Sequence, residues 1–337
     1  MAARLNLGLL CAAIALGLAS APSRGDTLSD VQKRGFLRCP IIEASPGFSS
    51  ITAAGERVGM DVDHCKVIAA AVFGAIKIEF VPITPQTAFT LLQSGAVDVF
   101  PGGASWTFLR DTAMGLDFTG VYLYAGQGFL VRKSGRIHSI ADLDGATICV
   151  AQGTTLEQNL ADYFRAHRMR YRAVTFANIE RGLDAYQADR CDAFTNEVTS
   201  ITGRLRELVN PQDHKILPGV ISREPMAAIV RQGDPRWRDL VLWSFNAVIA
   251  AEELGISQAN VDEMRKTSGS AEAQRLLGVY GDYGAKLGLS NDWAYNIIKL
   301  VGNYNDQWQR NFGPLGLDRG VNRLWTDGGL LMSLPFR

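Results

Sequence analysis

Short apolar runs alternate with amphipathic stretches in the first third of the chain. The apolar runs predict strands at residues 36–42, 78–82 and 97–100, and the spacing of apolar residues predicts helices at 59–72 and 86–94. Strands that alternate with helices over short connections are typical of an open parallel α/β sheet. Ligands of such sheets bind beyond the carboxyl ends of the strands, so the loops that follow the strands are the first candidates for a binding site.

The same alternation returns in the second third of the chain. Strands are predicted at 147–150, 172–176 and 191–195, with helices at 155–164 and 179–189 between them. A further apolar strand is predicted at 226–230, followed by helices at 237–254 and 291–310. The repeated plan predicts a second α/β unit.

Two apolar segments connect the predicted units, one at 122–131 and the other at 216–223. We therefore predict a first lobe made of 26–130 and 225–337 and a second lobe made of 131–224. A lobe that the chain leaves and re-enters has a two-stranded hinge, which suits closure around a ligand.

The N-terminus has the layout of a secretory signal peptide. Residues 1–4 are short and basic, residues 5–18 are apolar, and small residues follow at 19–21. The apolar stretch is too short to span a bilayer comfortably. We expect a signal peptide at 1–25 that is cleaved on export, and a soluble mature chain in the periplasm without membrane insertion.

Charge and composition exclude several partners. Lys and Arg number 34, and Asp and Glu also number 34, so nothing in the net charge favours nucleic acid or an anionic membrane. Cysteine or histidine clusters with zinc-type spacing are absent from the sequence. We expect no cofactor and no metal.

Four cysteines remain after the predicted signal peptide: Cys39, Cys65, Cys149 and Cys191. An even number of cysteines in an oxidising compartment favours disulfides over catalytic or buried free thiols. Four cysteines allow three pairings, which the sequence leaves open. The pairing of near neighbours, Cys39 with Cys65 and Cys149 with Cys191, would give each half of the chain one disulfide.

The loop after the predicted strand 97–100 combines groups that suit a carboxylate. Gly102 and Gly103 break the strand and let a ligand approach the backbone, Ser105 adds a hydroxyl, and Arg110 adds a guanidinium. The alternative is an ordinary loop in which Arg110 pairs with Asp111 or Asp117 at the surface.

A second glycine loop, Gly153, Thr154 and Thr155, runs from the strand 147–150 into a helix N-terminus. Free amides and the positive end of the helix dipole favour an anionic ligand there, and a simple helix start is the alternative reading. The strand 191–195 ends near Glu197, which is an acidic candidate in the same half of the chain; the alternative is a solvent-facing helix cap.

These residues, together with several further runs, resemble the periplasmic polar amino-acid-binding proteins of ABC importers, solute-binding family 3. The C-terminal third is most similar to the general L-amino-acid-binding branch. The runs that carry the resemblance are 59–63, 125–129, 144–147, 153–155, 250–256, 291–295, 301–304, 314–316, 324–325 and 335–337.

The resemblance implies a type II periplasmic-binding-protein fold whose two lobes close over a free L-amino acid. In lobe one it implies a backbone carbonyl from Gly103, a hydroxyl from Ser105 and a bidentate salt bridge from Arg110 to the α-carboxylate. In lobe two it implies that Gly153, Thr154 and Thr155 supply donors to the same carboxylate and that Glu197 takes the α-ammonium.

Two positions depart from the family's pattern. The acidic position is usually aspartate, and Glu197 adds a methylene that a shift must absorb. His64 occupies a position that is normally apolar or aromatic, and we interpret it as a substitution on a helix surface without a role.

The resemblance also implies a monomer that delivers its ligand to the membrane permease of an ABC importer. The alternative is a periplasmic enzyme on the same fold, such as a cyclohexadienyl dehydratase, which would need a positioned acid or base in the cleft. His138, His167 and His214 lie away from the glycine loops, and Glu197 already has a binding role. We therefore predict a binding protein without catalytic residues.

Overall fold

The computed structural model describes residues 26–337, so the predicted signal peptide lies outside the described residues. Its strands are β1 Leu37–Ile41, β2 Ser50–Ile51, β3 Arg57–Val58, β4 Ile78–Pro82, β5 Leu116–Ala125, β6 Gln127–Arg132, β7 Ala146–Ala151, β8 Tyr171–Phe176, β9 Ala193–Glu197, β10 His214–Ile216 and β11 Glu224–Arg231.

Its α-helices are α1 Thr27–Arg34, α2 Met60–Phe73, α3 Ala88–Ser94, α4 Phe108–Ala113, α5 Thr155–Ala166, α6 Ile179–Gln187, α7 Val198–Leu205, α8 Pro235–Glu253, α9 Val261–Thr267, α10 Ala271–Leu276, α11 Tyr283–Leu287, α12 Trp293–Val301 and α13 Tyr304–Asn311. None of the helices between residues 26 and 337 combines the length and hydropathy that a membrane span requires.

Lobe one is built on two strand pairs, with β1 parallel to β4 and β5 antiparallel to β11. The segment 97–100 lies between these pairs but does not form the regular strand that we predicted. The Asp98 amide donates to the Arg38 carbonyl at 3.0 Å, and the Phe100 amide to the Ile229 carbonyl at 2.8 Å. The backbone hydrogen bonding of this segment does not continue, because the Arg38 amide donates to the Asp98 carboxylate, at 2.7 Å, and because Pro101 has no N–H to donate.

Lobe two contains one five-stranded sheet in the order β10-β6-β9-β7-β8. Strand β7 is parallel to β8 and β9, whereas β6 is antiparallel to β9 and β10. Strands flanked by helices in both lobes, as two strand pairs in lobe one and one mixed sheet in lobe two, confirm the predicted fold class. The carboxyl ends of β7 and β9 lead into the two loops of lobe two that we predicted to bind ligand.

We propose that the chain crosses between the lobes at Gly126 and again just before Glu224. The strand β6 pairs with β9 from Gln127 onward, so its first residues belong to the five-stranded sheet although our division left 127–130 in lobe one. A Cβ atom at Gly126 would lie 2.8 Å from Val220, which shows that the two crossing segments touch. We propose that lobe two begins at Gln127.

Each lobe has one disulfide. Cys39 of β1 is bonded to Cys65 of α2, and Cys149 of β7 is bonded to Cys191 before β9. The structure thus selects the pairing of near neighbours among the three that the sequence allowed. Each bond ties a strand to an adjacent element of the same lobe.

The C-terminal helices pack on lobe one around α2 and α8. This packing makes the interpretation of His64 wrong, because its side chain is fully buried. The His64 Nδ1 atom lies 3.2 Å from the Pro101 carbonyl oxygen, and the ring meets Tyr122 and Phe245 edge-on. Burial lowers the pKa of His64 to about 4, so the ring is neutral at physiological pH and supports the turn at 101–103.

The helix predicted at 291–310 is two helices, α12 and α13. The break comes at Gly302, whose φ of 92° lies outside the helical region. Asn303 then caps α13, since its side chain accepts the Asp306 amide while the Asp306 carboxylate accepts the Asn303 amide. A new helix therefore starts after Gly302, although the spacing of apolar residues continues across the break.

Candidate functional site

All seven residues that we predicted to bind ligand line one cavity between the two lobes. Its volume is about 70 Å³, and lobe one supplies Gly103, Ser105 and Arg110 while lobe two supplies Gly153, Thr154, Thr155 and Glu197. Phe89, Phe100 and Ile179 add apolar surface to the lining. The carboxyl ends of the strands in both lobes thus face each other across a small polar space.

Arg110 extends into this cavity from α4. Its Nη1 atom donates to the Ser105 carbonyl at 3.0 Å, and its guanidinium carbon lies 5.0 Å from the centre of the Phe89 ring. Among residues 26–337 it forms no salt bridge, in contrast to the surface pairing with Asp111 that was the alternative. Burial lowers the pKa of Arg110, and the charges of Glu224 and Glu197 oppose that shift. An arginine remains cationic in proteins, so the cavity holds a positive charge with unused donors.

The glycine turn is held from behind by Tyr122 and Asp61. The Gly103 amide donates to the Tyr122 hydroxyl at 2.7 Å. A Cβ atom at Gly102 would lie 2.3 Å from that hydroxyl and 2.7 Å from Asp61 Oδ1, so only glycine fits there. Because the Gly103 amide is engaged on this side, the turn offers its carbonyl oxygens rather than this amide to a ligand.

Asp61 is buried against the turn, and its Oδ1 atom accepts no hydrogen bond from the described residues. Burial raises the pKa of the Asp61 carboxyl from 3.8 to about 7. The folded protein therefore holds a proton on Asp61 between about pH 4 and pH 7 that the unfolded chain releases.

We expect the variant Asp61→Asn to be more stable than the wild type at pH 8 and nearly equal to it at pH 4. The stability that the protonated carboxyl contributes is present below pH 4 and is lost as the pH rises through 7, whereas asparagine does not titrate. Thermal unfolding of both proteins without ligand should give a difference in Tm that grows to several degrees by pH 8. A difference that stays constant with pH would contradict the raised pKa.

The loop of lobe two already uses two of its predicted donors internally. The Gly153 amide donates to Glu157 Oε2 at 2.8 Å, and the Thr154 hydroxyl donates to the Ala151 carbonyl at 2.8 Å. Helix α5 begins at Thr155, so its first amides point toward the cavity end of the helix. These N-terminal amides of α5 are what the loop can offer to an anion.

Glu197 ends β9 and occupies the position before α7, but its side chain caps no helix amide. It lines the cavity instead, so the solvent-facing cap was the wrong alternative. Burial, as the largest cause, and the charge of Glu224 raise the pKa of Glu197 to about 7, although its own backbone amide, Arg110 and Arg204 oppose the shift. A cation in the cavity would stabilise the ionised form of this carboxyl.

Glu224 is a site residue that we did not predict. It is 2% exposed and begins β11, where the chain returns to lobe one. Its carboxylate accepts hydrogen bonds from four side chains: Ser105, Thr155, Asn159 and Ser222. A glutamate at the start of an apolar strand, directly after a predicted crossing, was the only sequence signal for it.

The site therefore combines one cationic side chain with two acidic ones in a small, partly enclosed space. A larger cavity of about 500 Å³ lies at the other end of lobe one, lined by Arg34, Arg38 and Asp98. Arg34 and Arg38 both pair with Asp98, whereas Arg110 in the cleft forms no salt bridge among residues 26–337. The fold and the cleft together define a two-lobed solute-binding protein.

Comparison with known proteins assigns the chain to a family. The family described as bacterial extracellular solute-binding proteins, family 3, matches residues 37–259. The chain belongs to this family, as the resemblance predicted.

The chain is similar to full-length relatives. It is 45% identical to the general L-amino acid-binding periplasmic protein AapJ of Rhizobium johnstonii over 99% of this chain and 98% of the relative. It is 46% identical to the glutamate/glutamine/aspartate/asparagine-binding protein BztA of Rhodobacter capsulatus over 97% of this chain and 96% of the relative. A solved ABC transporter/periplasmic binding protein from Brucella ovis with glutathione bound is 48% identical, with a TM-score of 0.90, covering 93% of this chain and all of the other.

These relatives are named as binding proteins, and two of the names place them in the periplasm. The prediction of a binding protein rather than an enzyme is confirmed by this family membership. The dehydratase alternative gains no support from the comparisons.

Proposed function

We propose that this protein captures free L-α-amino acids between its two lobes and delivers them to the permease of an ABC importer. The observation that carries the proposal is that one cavity contains both Arg110, which forms no salt bridge among the residues that the structure describes, and the half-buried carboxyl of Glu197. An α-amino acid has a carboxylate and an ammonium group on one carbon, so its head group matches this arrangement.

Arg110 would bind the ligand's α-carboxylate. Its planar guanidinium can form two parallel hydrogen bonds to a carboxylate, and the N-terminal amides of α5 approach the same space from lobe two. Glu197 would bind the α-ammonium. The positive charge of that group would favour the ionised form of the Glu197 carboxyl, which burial disfavours. Gly103 would add its carbonyl oxygen to the ammonium side.

Closure follows from the division of the site. Arg110 and Gly103 belong to lobe one, whereas Glu197 and α5 belong to lobe two, so neither lobe alone completes the site. Bringing the lobes together also excludes water, which strengthens the interactions between charges. Closure would occur at the two crossing segments, where Gly126 contacts Val220.

The ligands named for the relatives share one chemical group. General L-amino acids, glutamate, glutamine, aspartate and asparagine all carry an α-amino acid head group, and so does the glutamyl end of glutathione. We propose that this chain recognises the same head group and acts as a monomer. We also propose that residues 1–25 direct its export to the periplasm and are then cleaved.

A thermal-shift screen of the mature protein tests the proposal. Proteinogenic L-amino acids, glutathione, amines, dicarboxylates and prephenate would be added separately. A ligand at one hundred times its Kd should add about 2.7 kcal/mol to the free energy of unfolding. We expect several L-amino acids to stabilise the protein without turnover; stabilisation only by carboxylates that lack an amine would contradict the ammonium role of Glu197.

A further inference from the structure

Glu224 has its acceptor capacity filled by the protein itself. Its Oε2 atom accepts from Ser105 Oγ and, at 3.1 Å, from Thr155 Oγ1. Its Oε1 atom accepts from Asn159 Nδ2 and from Ser222 Oγ, both at 2.6 Å. A carboxylate has about four lone-pair positions, so Glu224 has none left for a ligand.

The two hydroxyls on Oε2 come from opposite lobes and both line the ligand cavity. A hydroxyl has one proton to donate and two lone pairs that accept. Since Ser105 and Thr155 both donate to Glu224, each can offer only its lone pairs toward the cavity. Both hydroxyls therefore present acceptors to a ligand.

We propose that Glu224 is a positioning residue that turns the Ser105 and Thr155 hydroxyls into acceptors and so makes the cleft select for a ligand ammonium group. The inference rests on the proposed function and extends it. It also changes the role implied by resemblance, in which these two hydroxyls donate to the α-carboxylate. The carboxylate is left to Arg110 and the amides of α5, and the ammonium meets Ser105, Thr155 and Glu197.

This role differs from simple charge attraction. Any buried carboxylate near Arg110 would alter the potential of the cleft, but only one bonded to both hydroxyls fixes the direction of their protons. Glu224 is bonded to both through one oxygen atom. Its removal should therefore affect amine-bearing ligands more than ligands that have only carboxylates.

The test compares L-glutamate with glutarate, which lacks the α-ammonium, and L-aspartate with succinate. Binding would be measured by calorimetry for wild type and for Glu224→Met, which has no acceptor to hold the hydroxyl protons. We expect the preference for the amino acid, the ratio of the two Kd values, to fall about tenfold or more, because a hydrogen bond to a charged group is worth roughly 1.5–3 kcal/mol. Binding of glutarate and succinate should stay the same or improve.

Thr155→Val is a second variant that keeps the size of the side chain and leaves Glu224 in place. It removes one acceptor, so the same preference should fall even if Glu224→Met does not fold. The control is Glu252→Gln, which changes a largely buried carboxylate that binds Arg319 outside the cavity lining. The ratio of Kd values for the amino acid and the dicarboxylate should be the same in Glu252→Gln as in wild type.

Three outcomes overturn the inference. Equal losses for amino acids and dicarboxylates would mean that Glu224 only supports the structure. A greater loss for glutarate in Thr155→Val would mean that the hydroxyl donates to a carboxylate. If wild type binds no amino acid at all, the proposed function fails, and the inference fails with it; the wild-type titration separates this case from the other two.

Discussion

Replacing Arg110 with alanine is expected to weaken amino-acid binding by at least about 100-fold while the protein remains folded. Arg110 is the cation in the cavity lining, and a ligand carboxylate enclosed without a partner costs roughly 3–5 kcal/mol. The fold should survive, because Arg110 forms no salt bridge among residues 26–337 and its main contacts are a carbonyl and the Phe89 ring.

Calorimetry with the amino acid that stabilises wild type most would measure this loss, and circular dichroism would check the fold. Arg165→Ala is the matched control, since Arg165 is an exposed arginine that pairs with Asp162 on the surface of lobe two. Wild-type affinity in a folded Arg110→Ala protein would show that the binding site lies elsewhere.

Replacing Glu197 with glutamine is expected to weaken the binding of amino acids by about 100-fold at pH 8. The ligand ammonium loses its ionic partner in the cavity, which costs roughly 3 kcal/mol. Glutarate, which has no ammonium, should lose far less. Calorimetry on the two ligands gives the comparison, and equal losses would remove Glu197 from the ammonium role.

The same variant should also change the pH dependence of binding. Burial raises the pKa of Glu197 to about 7, so below pH 7 an amino acid must displace a proton before the ion pair can form. Affinity of the wild type should therefore rise about tenfold from pH 5.5 to pH 8, and affinity of Glu197→Gln should stay nearly constant. Asp61 titrates in the same range but is present in both proteins, so the difference between them isolates Glu197.

Local pattern was sufficient for most of the element order. The strand β4 and the helices α2, α5 and α6 lie within a few residues of their predicted positions, because apolar periodicity and glycine breaks act over short stretches. The predicted division at 130 and the helix 291–310 depended on longer context. The φ angle of Gly302 shows that the helix is two helices, and the pairing of β6 with β9 supports our proposal that lobe two begins at Gln127.

The sequence by itself predicted the loops that line the cleft and two of its charged residues, Arg110 and Glu197, but not Glu224. Glycine turns after strands, Arg110 and Glu197 are readable because each depends on its own segment. Only the tertiary structure decided the disulfide pairing, the burial of His64 and the four hydrogen bonds of Glu224. Ser105 and Glu224 are 119 positions apart, and which hydroxyl gives its proton to which carboxylate is set by the packing of the two lobes. A residue pattern along the chain carries no information on that direction, on which our proposal for the selection of an ammonium group depends.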